Sequence, residues 1–228
     1  MNYENAITKR NTKLAAHISL VAIVLFVLME LPVRLLLQPD PWLLDTLHWY
    51  FNQPMRMMIE LSLVVTLVIS LALLFPRLLA FPRAQTSLVV GCMLASALLF
   101  GVMEAGQLFE SFDAGWGLWL LWFFTGFCIG VGQELLYRGL LYTSLTRYMS
   151  VATAAIVTTL AFVIAPLHSI RLWHYAEQEA YRAVLLLVAI YLGASAFFQW
   201  LRNKTNSVTP PALVHGVGNA ITWVAVFA

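Results

Sequence analysis

The chain has 228 residues, of which 61% are hydrophobic and 13% aromatic but only 11% charged. With a mean hydropathy of +0.81, that balance excludes a soluble globular domain, whose surface needs far more polar side chains. The formal net charge of +2 excludes the basic face that nucleic-acid binding requires. The expected fold class is therefore all-α: a multi-pass transmembrane helical bundle in the lipid bilayer.

Seven apolar runs follow in chain order, each near or above the roughly 20 residues that cross a bilayer. The first, Leu14 to Leu37, is expected to be retained, because the N-terminus shows no short apolar core with a small-residue cleavage site. Pro41 to Met55, with Trp42, Trp49 and Tyr50 beside Asp45 and His48, reads as an interfacial stretch with its aromatics at headgroup depth. Met57 to Phe75 and Leu88 to Leu108 are the second and third spans. The Pro76 to Pro82 loop and the acidic Glu110 to Asp113 turn are seams, dividing an N-terminal group, 1–112, from a four-span core, 113–228.

The fourth run, Trp116 to about Tyr148, is too long for one crossing at about 1.5 Å per residue, so it projects beyond the bilayer or breaks near Gly139. Val151 to Ile170, Ala183 to Leu201 and Val208 to Ala228 complete the set. A cytoplasmic N-terminus puts Lys9, Arg10, Lys13, Arg77, Arg83, Arg147, Arg202 and Lys204 inside and leaves Arg34, Arg56, Arg171 and Arg182 outside, the bias that the positive-inside rule favours. Cys92 and Cys128 both fall inside apolar runs, where thiols behave as small hydrophobes.

Ionisable groups inside a span are costly and mark function by default. The fourth run carries Gln133, Glu134 and Arg138. On an α-helix, Glu134 and Arg138 share one face as a self-neutralising pair, and Gln133 points about 100° away. Gly126 and Gly130 form a small-xxx-small pair that lets another helix approach closely.

His168 lies beyond a turn near Met149 and Ser150; with two unbroken antiparallel helices, Gln133 sits ~25 Å before that turn and His168 ~28 Å after it. In the last span His215 and Asn219 are four apart on one face, and the flanking Gly216 and Gly218 are expected to expose backbone and leave room for a substrate chain. By contrast His17, Glu30, Arg34, Glu60 and Glu104 are scattered, mostly toward span ends, and read as snorkelling or packing groups. His174, near Arg171, Glu177 and Glu179, reads as loop.

Any one of these polar residues, taken singly, has a structural explanation as a helix-helix hydrogen-bond partner. Together, on consecutive spans, they describe a site. The order Gln133-Glu134-x-x-x-Arg138-Gly139, then His168, then His215-x-x-x-Asn219 resembles the three motifs of the CAAX protease and bacteriocin-processing family, the intramembrane endopeptidases that include the Ras-converting enzyme. The resemblance covers roughly Trp116 to Ala228.

The resemblance implies a protease that hydrolyses a peptide bond in a membrane-associated peptide or protein. It assigns position 133 and His168 to water activation, His215 and Asn219 to the oxyanion, and Glu134 with Arg138 to support. Two positions depart from the family pattern: Ile164 stands where a Phe precedes the second-motif His, and Gln133 stands where the first motif has Glu.

The second departure is the serious one, because an amide cannot act as a general base. Three explanations stand open: an inactivating substitution, a non-catalytic binding, immunity or scaffold protein, or a chemistry in which Glu134 is the base. A transporter is a further alternative, although the chain shows no internal repeat. No cofactor is expected. Zinc on Glu134, His168 and His215 is the alternative, against which stand the missing His-Glu-x-x-His signature and the pairing of Glu134 with Arg138. The small size suggests a bacterial cytoplasmic membrane, and the oligomeric state is open.

Overall fold

In this computed structural model, the residues described are 13–25, 28 and 53–228. The regular structure among them is helical throughout, as expected in lipid, where an α-helix satisfies its backbone N–H and C=O groups internally. The protein is an integral membrane protein of the multi-pass helical class. The interfacial stretch expected over 41–55 lies outside the described residues except for its last three, and the first expected span lies partly outside them.

In chain order the helices are α1 (Lys13–Leu25), α2 (Met55–Leu74), α3 (Thr86–Met103), α4 (Ala105–Ser111), α5 (Trp116–Glu134), α6 (Tyr142–Leu145), α7 (Val151–Val163), α8 (Pro166–Glu177), α9 (Tyr181–Thr205) and α10 (Thr209–Phe227). Four helical segments are long and apolar enough to cross a membrane: Met55–Leu74, Pro76–Met103, Trp116–Leu145 and Tyr181–Thr205. Each matches an expected span. The long fourth run does not break at Gly139: Trp116–Leu145 is one helical segment of 30 residues, with a π-helical stretch, Leu135–Leu141, between α5 and α6.

Two expected spans differ from the sequence reading. The run Val151 to Ile170 is not one helix, since α7 has 13 residues, about 20 Å of rise against a hydrocarbon core of about 30 Å. Proline explains the break: Pro166 cannot donate a backbone N–H and would clash with the carbonyl four residues earlier. Ala165 before it is accordingly extended, with ψ 147°.

The last span, α10, is helical as expected but is not among the four segments long and apolar enough to cross a membrane. Its His, Asn, Gly and Pro residues lower its apolarity. It is covered by protein instead, with Pro210, Ala212, Val214, Gly216, Gly218 and Ala220 among its buried residues.

The chain divides into two compact units, one of Thr46–Leu135 with Leu201–Ala228, the other of Met1–Asp45 with Leu136–Trp200. In the first unit α5 packs along α10, and α2, α3 and α4 pack around them. Ten of the 19 residues of α10 and seven of the 19 of α5 are buried, against three in α2 and one in α3; the central helices are therefore α10 and α5. Leu73, Leu94, Leu98 and Val102 are exposed, as lipid-facing positions are.

An aromatic layer of Trp122, Trp223 and Phe227 closes one end of the α5/α10 seam, with ring centroids 4.9–5.9 Å apart. The 76–79 turn is tied to the start of α10, where Val208 N and Ser207 Oγ donate to the Leu78 carbonyl, both at 2.9 Å. The second unit is built on Tyr137, Phe162, Val163, Ala165 and Tyr191. Ser150 caps its α7 by accepting from Thr153 N at 3.1 Å.

Candidate active site

Glycine decides how α5 and α10 meet. A Cβ on Gly130 would lie 2.7 Å from the His215 carbonyl carbon and oxygen, and one on Gly126 would lie 2.6 Å from the Asn219 carbonyl oxygen. No side chain fits at such distances, so the two backbones touch at these positions. The small-xxx-small pair thus seats α10 with its His215 and Asn219 turns against α5.

Gly216 and Gly218 serve the same end, contrary to the expectation that they leave room for a substrate chain. Both are buried, and a Cβ would meet Phe127 at 2.9 Å from Gly216 and Phe100 at 2.7 Å from Gly218. Ser96 Oγ of α3 adds a hydrogen bond of 3.1 Å to the Val214 carbonyl. Each of the four glycines is used for helix packing.

That seating brings together two of the expected site residues. His215 Nδ1 lies 2.8 Å from Glu134 Oε1. The Glu134 side chain is 0% exposed and that of His215 13%, so the carboxylate is sealed while a small part of the imidazole stays accessible. Nδ1 faces an acceptor and donates its proton, which leaves Nε2 with the lone pair in the neutral ring. Gln133 and Asn219 are half-buried in the same unit.

The chain from Leu135 to Leu141 winds as a π-helix, with i→i+5 bonding, and its Arg138 has partners in the second unit. Its Nη2 donates to Ser195 Oγ at 2.6 Å and to the Ser195 carbonyl at 3.2 Å, and its guanidinium lies 4.5 Å from the Phe162 ring centre and 5.8 Å from that of Phe198. Ser195 in turn donates to Thr159 Oγ1 at 3.1 Å. Ser195 was missed by sequence reasoning, although a hydroxyl in the apolar run of α9 was a visible signal.

His168 stands on the first turn of α8 and is buried. Its Nδ1 donates to the Phe162 carbonyl at 2.6 Å, the carbonyl being unable to donate. The ring stacks on Tyr191 with centroids 4.1 Å apart and meets Phe162 edge-on at 4.7 Å. Phe162 thus holds His168 although it stands six residues before it. His174 is helical, not loop, and pairs with Gln178 at 3.0 Å within one turn.

A further polar site escaped the sequence reading. Glu60, read as a snorkelling or packing group, and Arg56, counted as an outer charge, are both buried and paired at 2.6 Å on α2. The guanidinium sits 5.4 Å from the Trp223 ring centre of α10. One turn earlier Gln53 Nε2 donates to Thr125 Oγ1 of α5 at 3.0 Å. The signal was the (i, i+4) spacing of opposite charges at a span end. Glu104 accepts from Thr222 Oγ1 at 3.3 Å, so it too is a packing contact.

Among the described residues no group of three or more His, Cys, Asp or Glu side chains is placed to hold a metal ion.

Residues 113–221 match the family model described as type II CAAX prenyl endopeptidase Rce1-like. Over that stretch the chain is similar to the Rce1-like family. No curated protein and no solved structure matches the chain. The Rce1-like segment takes in α5, α7, α8, α9 and most of α10, and with them Gln133, Glu134, Arg138, His168, His215 and Asn219. The Arg56–Glu60 pair of α2 lies outside it.

Proposed function

We propose that this protein is an intramembrane endopeptidase that hydrolyses a peptide bond in a membrane-associated peptide or protein, without a metal. The observation that carries the proposal is the sealed Glu134 beside an accessible His215, seated by glycine packing inside the Rce1-like segment. Such an arrangement supplies what amide hydrolysis needs: polar groups held without reorganisation where charge develops, in a site of low dielectric.

By the family scheme, position 133 and His168 activate water while His215 and Asn219 stabilise the oxyanion. Gln133 can donate hydrogen bonds but cannot take a proton, which leaves the base unassigned in this chain. The same residue favours a second reading, a binding, immunity or scaffold protein that retains the site without the chemistry. We further place the protein in a bacterial cytoplasmic membrane with its N-terminus inside, on size and the Lys/Arg bias.

Purified protein in lipid nanodiscs, beside a Gln133→Glu version, is to be incubated with a library of membrane-associated peptides and the products read by mass spectrometry. The endopeptidase reading expects site-specific cleavage by at least one of the two. Absence of cleavage by both refutes it and leaves the binding reading.

A further inference from the structure

Resting on the endopeptidase reading, we infer that the water-activating base in this chain is His215, through Nε2, with Glu134 as its positioning residue. Three observations converge on this assignment. Gln133, where the family has its carboxylate, is an amide. Glu134, the nearest carboxylate in sequence, has its side chain 0% exposed and so cannot touch an entering water. His215 is partly accessible and turns Nδ1 to that carboxylate at 2.8 Å.

The carboxylate fixes the imidazole orientation and tautomer, and it lies opposite the positive charge that appears when Nε2 takes a proton. This is the logic by which a buried carboxylate serves a catalytic histidine in triad hydrolases. His168 is less suited to the role, since its described partners are a carbonyl and two aromatic rings, one of them shared with the Arg138 guanidinium.

The step balances without a further reactant. Water gives one proton to His215 Nε2 as its oxygen bonds to the scissile carbonyl carbon, and the carbonyl π pair moves to oxygen. The imidazolium Nε2–H then gives that proton to the departing amide nitrogen as the C–N bond breaks. The products are a carboxylic acid and an amine, and His215 returns to its neutral form. Asn219 and Gln133, both amides, remain as hydrogen-bond donors for the oxyanion.

His215→Gln separates this role from that of an oxyanion donor, because glutamine keeps an N–H donor but cannot accept a proton. With cleavage of a quenched membrane peptide as the readout, a base predicts a loss of about 10²-fold or more. Retention of activity within about tenfold means a donor and overturns the assignment. For Glu134 the readout is the ring ¹⁵N spectrum of histidine-labelled protein, with the His215 signals assigned by their absence from His215→Gln.

The native protein is expected to show His215 as the Nδ1–H tautomer, Glu134→Leu to lose that preference, and Glu134→Asp to restore it. An Nε2–H tautomer in the native protein overturns the assignment independently of any activity. If only the Gln133→Glu form cleaves, the base assignment falls while the endopeptidase reading stands. If neither form cleaves, the endopeptidase reading itself falls.

Discussion

Gly130→Ala tests the packing that builds the site. The added methyl would stand 2.7 Å from the His215 carbonyl carbon and oxygen and 2.8 Å from Gly216 Cα, all backbone atoms that no rotamer change can move. Restoring van der Waals contact of about 3.4 Å requires α10 to withdraw by about 0.7 Å. The Glu134–His215 separation of 2.8 Å would then open to about 3.5 Å, the edge of hydrogen-bonding distance. Overpacking of this kind costs about 1–3 kcal/mol, offset by about 0.5–1 kcal/mol from replacing a mid-helix glycine.

A net destabilisation of about 1–2 kcal/mol is expected on that balance, read as a lower thermal midpoint in detergent. Misplacement approaching 1 Å at a reacting group costs up to about 10²-fold, so cleavage should fall by at least tenfold. Gly193→Ala in α9 is the control, since a Cβ there meets nothing within 4 Å, and it should leave stability equal or slightly higher. If Gly130→Ala is as stable as Gly193→Ala and retains its cleavage rate, α10 is not seated on Gly130 and the reasoning fails.

Other substitutions probe the remaining contacts. Ser195→Ala removes the Oγ acceptor 2.6 Å from Arg138 and is expected to destabilise by about 1–3 kcal/mol, measured by chemical unfolding; an unchanged midpoint would mean that the carbonyl alone satisfies the guanidinium. Arg56→Met or Glu60→Met alone should cost about 3–5 kcal/mol by stranding a buried charge, whereas the double variant should recover most of the loss. A double-mutant cycle reads this directly, and additive losses would refute the pairing. Ser150→Ala deletes the α7 cap and should cost about 1 kcal/mol, with faster amide exchange at Thr153 as the local sign; exchange unchanged there would show that the cap contributes nothing.

The helical class was legible because lipid leaves a chain few options. Apolar runs of spanning length located α2, α3, α5 and α9, and glycines four apart identified the face of α5 that another helix would meet. The order of the polar residues marked the Rce1-like segment. Composition and spacing suffice for these, since each depends on local backbone chemistry and on the bilayer.

Other features depend on what lies opposite a residue in space, and sequence spacing could not supply them. Gly216 and Gly218 read as open backbone until Phe127 and Phe100 filled the space above them. Arg56 and Glu60 read as peripheral charges until α2 turned them inward beside Trp223. Pro166 was visible, yet whether it kinks a span or ends it depends on the helix that follows.

The sequence by itself determined a helical membrane protein and the set of polar residues proposed as its site. Tertiary structure decided that His215 meets Glu134, because close backbone contact at Gly126 and Gly130, with Phe127 and Phe100 packed on Gly216 and Gly218, sets how α10 lies against α5.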